Sequence, residues 1–561
     1  MKILLLVSSF NGLTQRAWCA LREAGHEVSV ELAIDESTII SGVEAAKPDL
    51  VLCPFLKERV PARVWQNWRT VIIHPGPVGD RGPSSLDYAI MNRLPVWGVT
   101  ALQAVEEMDA GPIWATRTFP MPDEAPRKSV LYNSLVADAA LQCIAEVVGK
   151  AGDPTFMPTP LEFAHRPVPG TGLQPTLRQD DRAFSWEDDA ETIVRRVRAA
   201  DGFPGVRTEV AGLVVNAFDA YPGNVAGAPG EVLAHYNGSV LVGTGRGSVW
   251  LGYLKEPGGV KLPATMVLAG RLRDVPNAQA GLPPQIEYAR HGDVGTLTFR
   301  FYNGAMSTRH CRQLDAGLRY ALSQDTRVLV VRSGDCVFSN GIHLGVIEAA
   351  DDPAVEGWAN IRAINKVCRR IITASNQVVI AAYAGNAGAG GAMLGLGADI
   401  VVARSGIVLN PYYEMGLYGS ELHTYTLPDR VGDELAMRLT TDRLPVDTTR
   451  ARAIGLIDAV GPREPEEFAQ WLHDVAVAQT GRQRWRSILE AKVERARDTV
   501  RPLSYYETRE LAEMARDMFD DRKGFAAARH AFMYKQKPTE TPSKLALHRQ
   551  PDVYDQLVAV G

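Results

Sequence analysis

Cysteine is scarce in this 561-residue chain: Cys19, Cys53, Cys143, Cys311, Cys336 and Cys368 lie far apart, with no C-x-x-C pair among them. That scatter argues against a disulfide framework, a zinc knuckle or an iron–sulfur site, offers no metal ligand set, and fits a reducing cytoplasm. Excess charge is lacking too. A net −5 is unlike a basic nucleic-acid protein, so no nucleic-acid partner is expected. No apolar run approaches the roughly 20 residues that cross a bilayer, so no membrane partner is expected either. The opening run Ile3–Val7 stops at Ser8-Ser9 without a small-residue cleavage site and reads as a buried first strand, not a leader. What is present is ordinary globular composition, 46% apolar and 22% charged, over a length that at roughly 150 residues per domain implies three to four domains.

Short apolar segments at 2–7, 27–32, 49–53, 70–73 and 98–105 alternate with helical patterns at 13–24 and 36–46. Such alternation predicts an α/β domain with a parallel, Rossmann-like sheet over 1–170, closed by a helix at 128–149. After a Pro-rich stretch, a helix at 189–200 and short β-like runs at 205–218, 230–235, 239–243, 248–252 and 264–267 predict a small OB-like β-barrel over 176–275. A second α/β core spans 285–465, with strands at 296–301, 328–332 and 378–382. Residues 466–561 read as a helical C-terminal extension. Within 481–550 there are 16 Lys/Arg against 10 Asp/Glu, a basic tail on an acidic body that invites an anionic ligand.

The segment Val71–Leu86 puts His74-Pro75 directly after a buried strand, in a loop rich in Gly and Pro with Arg81-Gly82. Strand C-termini are where open α/β sheets place their sites. Further on, Asp109 heads the tight turn Asp-Ala-Gly-Pro-Ile113. These motifs resemble the N10-formyltetrahydrofolate enzymes, among them methionyl-tRNA formyltransferase, over about 1–275. The resemblance implies that His74 and Asp109 are catalytic. A tetrahedral intermediate needs charge stabilisation on oxygen and a proton shuttle, and an imidazole held by a carboxylate supplies both. The family's Asn falls at Ile72, so an oxyanion donor is missing; Gln15 is a candidate replacement. Arg81 and the segment with Phe55 and Leu56 are candidates for the folate side.

A second set of motifs lies at 337–344, where Val337-Phe-Ser-Asn-Gly-Ile-His-Leu344 follows a strand, and at 377–391, a strand running into a glycine-rich helix start. They resemble the crotonase (enoyl-CoA hydratase/isomerase) superfamily over about 290–465. The resemblance implies an acyl-CoA thioester whose carbonyl is held by the N–H groups of Ile342 and Gly390, with Asn303 and Asn340 as contacts to the CoA arm. The two hydratase glutamates are replaced by Met393 and Tyr412, which argues against ordinary hydration. Tyr412 and Glu421 are the first choices for acid/base work, with Glu414 in reserve.

A formyl-folate module joined to a crotonase module in about 560 residues is similar to the hydrogenase maturation proteins of the HypX/HoxX family. That resemblance implies formyl transfer from N10-formyltetrahydrofolate to coenzyme A, then decarbonylation of formyl-CoA to carbon monoxide for the [NiFe] active-site iron. It also implies the hydrogenase maturation machinery as a partner, and Lys544 and Arg549 of the basic tail as holders of CoA phosphates. Two other functions remain open: an assembly factor that binds CoA or folate without catalysis, and a bifunctional enzyme acting on unrelated substrates.

Overall fold

A computed structural model describes residues 1–334, 336–498 and 501–550. It divides into two compact units, Met1–Leu282 with the segment from Lys537, and Pro283–Gln536. In the first, β1 (Lys2–Val7), β2 (Glu27–Leu32), β3 (Leu50–Cys53), β4 (Thr70–His74), β5 (Val96–Gln103) and β6 (Ile113–Pro120) form a sheet ordered β2-β1-β3-β4-β5-β6. The apolar strands β1 to β4 pair in parallel, and Ile3 to Val7 are fully or almost fully buried. Helices Gly12–Glu23 and Glu36–Ala46 start where the Asn11 and Asp35 side chains accept from the backbone N–H of Thr14 and Thr38.

The expectation of a parallel sheet fails at one edge. β5 runs antiparallel to β4, and β6, unforeseen, runs antiparallel to β5. Residues 104–112 between them are too few for a crossover helix, so the chain doubles back. The helical stretch 128–151, with a π-turn at Tyr132–Val136, is long and apolar enough by length and composition alone to cross a bilayer, although Asp138, Glu146 and Lys150 interrupt its apolar residues. In this unit it packs on β5 and β6, with Ala140, Cys143, Ile144 and Val147 buried.

A second antiparallel sheet follows, with β7 (Val206–Val210), β8 (Leu213–Gly223), β9 (Val232–Tyr236), β10 (Ser239–Gly243), β11 (Ser248–Lys255) and the short β12 (Leu262–Pro263) on β11. Helix Ala190–Ala199 supplies Ile193, Val194 and Val197 to its core. The order β7-β8-β11-β10-β9 shows no β7–β9 pairing among the described residues that would close a barrel. The run expected at 205–218 is two strands, divided at Ala211-Gly212, both at positive φ, and 264–267 is a helical turn.

The second unit contains β13 (Ile286–His291), β14 (Val294–Phe299), β15 (Val328–Ser333), β16 (Val337–Ser339), β17 (Val378–Tyr383), β18 (Asn386–Gly388), β19 (Ile400–Arg404), β20 (Val408–Asn410), β21 (Val446–Asp447) and β22 (Ala459–Gly461). They form a main sheet β13-β14-β15-β17-β19-β22 and a smaller one β16-β18-β20-β21. The tail divides between the units. Helices Pro465–Ala478, Arg482–Asp498, Leu503–Phe519 and Phe525–Met533 belong to the second unit, Phe468 and Leu472 lying in its core. The segment from Lys537 belongs to the first, where Leu545 accepts from Val30 N at 2.9 Å along the open edge of β2. Residues 551–561 of the expected extension lie outside the described residues.

Candidate active sites

His74 ends β4, and its buried imidazole sits between two carboxylates. Nε2 donates to Asp80 Oδ2 at 2.8 Å, while Nδ1 lies 3.5 Å from Asp109 Oδ1. A Cβ on Gly76 would stand 2.2 Å from Asp80 Oδ2 and 2.6 Å from His74 Nε2, so only glycine lets the loop close over this pair. Asp109 occupies the turn at φ 55°, where Gly82 N donates to its Oδ2 at 3.1 Å. A Cβ on Gly111 would come within 1.8 Å of Gln103 O, which explains the glycine of the Asp-x-Gly turn. Burial alone would push the His74 imidazole down. The Asp80 hydrogen bond and the charges of Asp109 and Asp80 outweigh it, and the net shift is upward. A held imidazole with raised basicity, one nitrogen fixed and the other loosely engaged, suits donation to a developing oxyanion. Leu56, Ile72 and Asp109 share the wall of a neighbouring cleft that also includes Val60, Leu102 and Met108.

In the second unit, Gly341 at φ 73° brings its backbone against the start of the short helix Gly390–Met393: a Cβ there would lie 3.1 Å from Gly390 N. As the first residue of that helix, Gly390 has no intrahelical acceptor for its N–H. The Ile342 N–H donates to no acceptor among the described residues. Glu421 reaches the same point, since a Cβ on Gly390 would stand 2.2 Å from Glu421 Oε1. Tyr412 Oη lies 2.9 Å from Glu421 Oε2, 2.8 Å from Ser420 O and 3.1 Å from His423 Nδ1. Tyr412, Glu421 and Leu422 all hold positive φ, of 65°, 64° and 58°. Burial pushes the Glu421 carboxyl and the Tyr412 hydroxyl up, the latter further because Glu421 and Glu510 face it. Burial lowers the His423 imidazole.

The structure brings together His74 with Asp109, Tyr412 with Glu421 beside Gly390, and Asn340 with Asn303, whose carbonyl accepts from Asn340 Nδ2 at 2.9 Å. It gives other candidates different work. The Gln15 amide donates to Phe10 O at 3.0 Å, Arg81 pairs with Glu107, and the Phe55 ring packs edge-on against Tyr132. Arg549 donates to the buried Glu31 at 2.8 Å, beside His548 and Thr541, which accounts for its place on β2 without a phosphate. Lys544 is half-buried on the same segment. Glu414 is exposed, unlike Glu421. Sequence reasoning missed Asp80, although it stands six residues after His74 in the loop already singled out. It also missed His423 and Glu510, the latter on helix Leu503–Phe519 with no local signal.

Known proteins match both halves. The enoyl-CoA hydratase/isomerase family model covers residues 296–539 and the formyl transferase C-terminal domain model covers 176–272. The methionyl-tRNA formyltransferase of Burkholderia multivorans is 30% identical over 193 residues, 34% of this chain and 57% of that protein. The class of protein is therefore a formyltransferase module fused to a crotonase module. Hydrogenase maturation factor HoxX of Bradyrhizobium diazoefficiens is 40% identical over 562 residues, 98% of this chain and 97% of HoxX. The crystal structure of HypX from Aquifex aeolicus in complex with tetrahydrofolic acid is 38% identical, with a TM-score of 0.92 over 98% of this chain and 99% of that one. This chain belongs to the HypX/HoxX family of hydrogenase maturation factors.

Proposed function

We propose that the first site passes formyl from N10-formyltetrahydrofolate to the thiol of CoA, and that the second splits formyl-CoA into carbon monoxide and CoA, the CO becoming a ligand of the hydrogenase iron. The tetrahydrofolate of the Aquifex HypX complex and the formyl transferase match at 176–272 support the first half. His74, fixed by Asp80, donates to the oxygen of the formyl carbon as sulfur adds. Asp109 takes the thiol proton and returns it to N10 as the N–C bond breaks, so no net proton is lost.

In the second step the N–H groups of Ile342 and Gly390 hold the formyl oxygen. Glu421, its basicity raised by burial, takes the formyl proton while the C–S bond breaks and its electron pair stays on sulfur. Tyr412, hydrogen-bonded to Glu421, relays a proton to the thiolate. The observation that carries this reading is the buried Tyr412–Glu421 pair set against the Gly390 N–H, in a crotonase module where Met393 and Tyr412 replace the water-activating glutamates. A one-carbon acyl group has no double bond to hydrate, which agrees with their loss. Formyl-CoA supplied directly, with haem as a CO trap, tests it. The expected result is CO release abolished by Tyr412→Phe and by Glu421→Gln. CO release by wild type that neither variant reduces contradicts it, as does no release at all.

A further inference from the structure

Glu510 is fully buried, yet it comes from the tail helix, 88 residues beyond Leu422. Its carboxylate accepts from Leu422 N at 2.9 Å, Thr424 N at 2.7 Å and Thr424 Oγ1 at 2.7 Å. Helix His423–Val431 starts at Leu422, which is left-handed and offers no side-chain cap. Glu510 therefore supplies from another helix the acceptor that a local Ser, Asp or Asn normally provides. The turn so held carries Glu421 and Leu422 at positive φ, a conformation that needs outside support.

The same carboxylate lies 3.4 Å from His423 Nδ1. That nitrogen is also 2.9 Å from Ser420 O, which can only accept, so Nδ1 carries the hydrogen. With the hydrogen there, Nδ1 cannot accept from Tyr412 Oη at 3.1 Å, and the tyrosine O–H is left to Ser420 O or Glu421 Oε2.

We propose that Glu510 is a positioning residue of the second site: through His423 and the Leu422–Thr424 turn, it aims the Tyr412 hydroxyl at Glu421. The proposal rests on Tyr412 and Glu421 being the acid/base pair. The anionic carboxylate is the form that accepts from all three donors and favours hydrogen on Nδ1; a protonated one turns an O–H toward a donor on one oxygen, keeps acceptor capacity on the other, and loses the charge that favours hydrogen on Nδ1. Glu510 faces His423 and Thr424, Tyr412 and Glu421 on the preceding loop, Tyr418, Cys368 of helix Pro353–Ile372, and Arg509 on its own helix. Burial in this company pushes its carboxyl up to about 7, against the donors from Thr424 and Leu422. Orientation of Tyr412 thus weakens as pH falls through neutrality.

The test uses the full chain with formyl-CoA, following CO release against pH. Glu510→Gln is expected to lower kcat by at least about tenfold with KM little changed, and to abolish the neutral inflection. His423→Gln is expected to behave alike, and the double variant to be no worse than either. Thr424→Val, which removes one donor and leaves the charge, is expected to keep the inflection. Wild-type kcat and inflection in Glu510→Gln, or equal profiles for Glu510→Gln and Thr424→Val, overturn the proposal. If Tyr412→Phe and Glu421→Gln leave CO release intact, the acid/base reading falls by itself. Glu510 is then judged by a crystal structure of Glu510→Gln: Tyr412 Oη turned away from Glu421 Oε2 supports the positioning role, and an unchanged 2.9 Å separation overturns it.

Discussion

Gly390→Ala tests the second site through a single methyl group. The new Cβ would lie 2.2 Å from Glu421 Oε1 and 2.5 Å from its Cδ, where ordinary contact begins near about 3.4 Å. The carboxylate must retreat by roughly 1.2 Å, and it is buried, so it cannot swing into solvent. Its 2.9 Å hydrogen bond with Tyr412 is then lost, while the Gly390 N–H remains. Overpacking of this kind costs about 1–3 kcal/mol, which for a unit of this size lowers the unfolding temperature by roughly 2–12 °C. A displacement of about 1 Å of a reacting group costs on the order of 100-fold in rate. The assay pairs a thermal melt with CO release from formyl-CoA, and formyl transfer from the folate serves as internal control because His74 lies in the other unit. Decarbonylation within about twofold of wild type, with an unshifted melt, would refute the placement of Glu421 at Gly390.

Other perturbations follow from the same contacts. His74 has a raised folded-state pKa, so its stabilising contribution is complete below the unfolded value of 6.5 and is lost as pH rises through the folded value. Asp80→Asn should flatten that part of the stability-versus-pH curve and reduce formyl transfer; a melt profile unchanged from wild type at every pH counts against the clamp. Glu31→Gln removes the buried partner of His548, Arg549 and Thr541 and should cost about 3–5 kcal/mol, read as earlier protease cleavage near residue 540. Glu31 is held below the usual range: burial raises it, but the His548, Arg549 and Thr541 hydrogen bonds outweigh that. The segment should therefore also loosen in acid, as pH falls through the folded pKa of Glu31. Gly391→Ala drives a Cβ to 2.1 Å from Ser339 O, a backbone atom, and should destabilise the second unit more than Gly390→Ala does in the same melt.

Much of the fold was legible because the signals were local. β1, β2 and helix Glu36–Ala46 match the expected bounds, where an apolar run or an Asp35 cap sits within a few residues of each boundary. The antiparallel edge β5–β6 was not legible, since strand direction depends on the connection and not on periodicity. Nor was the division of the tail: Phe468 and Leu545 are both apolar, and only tertiary partners assign them to different units. The sites follow the same rule. His74 and Asp109 stood out because their motifs agree in order and spacing, and Tyr412 and Glu421 because the hydratase glutamates are missing there; the structure places each pair together. Asp80 was in the right loop but hidden by its solvent-like neighbours, and Glu510 acts across 86 residues on Thr424, a distance no sequence window spans.

Formyl-labelled N10-formyltetrahydrofolate given to the full chain with CoA, with the released gas trapped on haem, is the most direct measurement of the central claim. The expected result is labelled CO, one for each formyl group consumed, with CoA recovered and with loss of the signal in His74→Ala and in Tyr412→Phe. Labelled formate or a stable labelled formyl thioester in place of CO would contradict it.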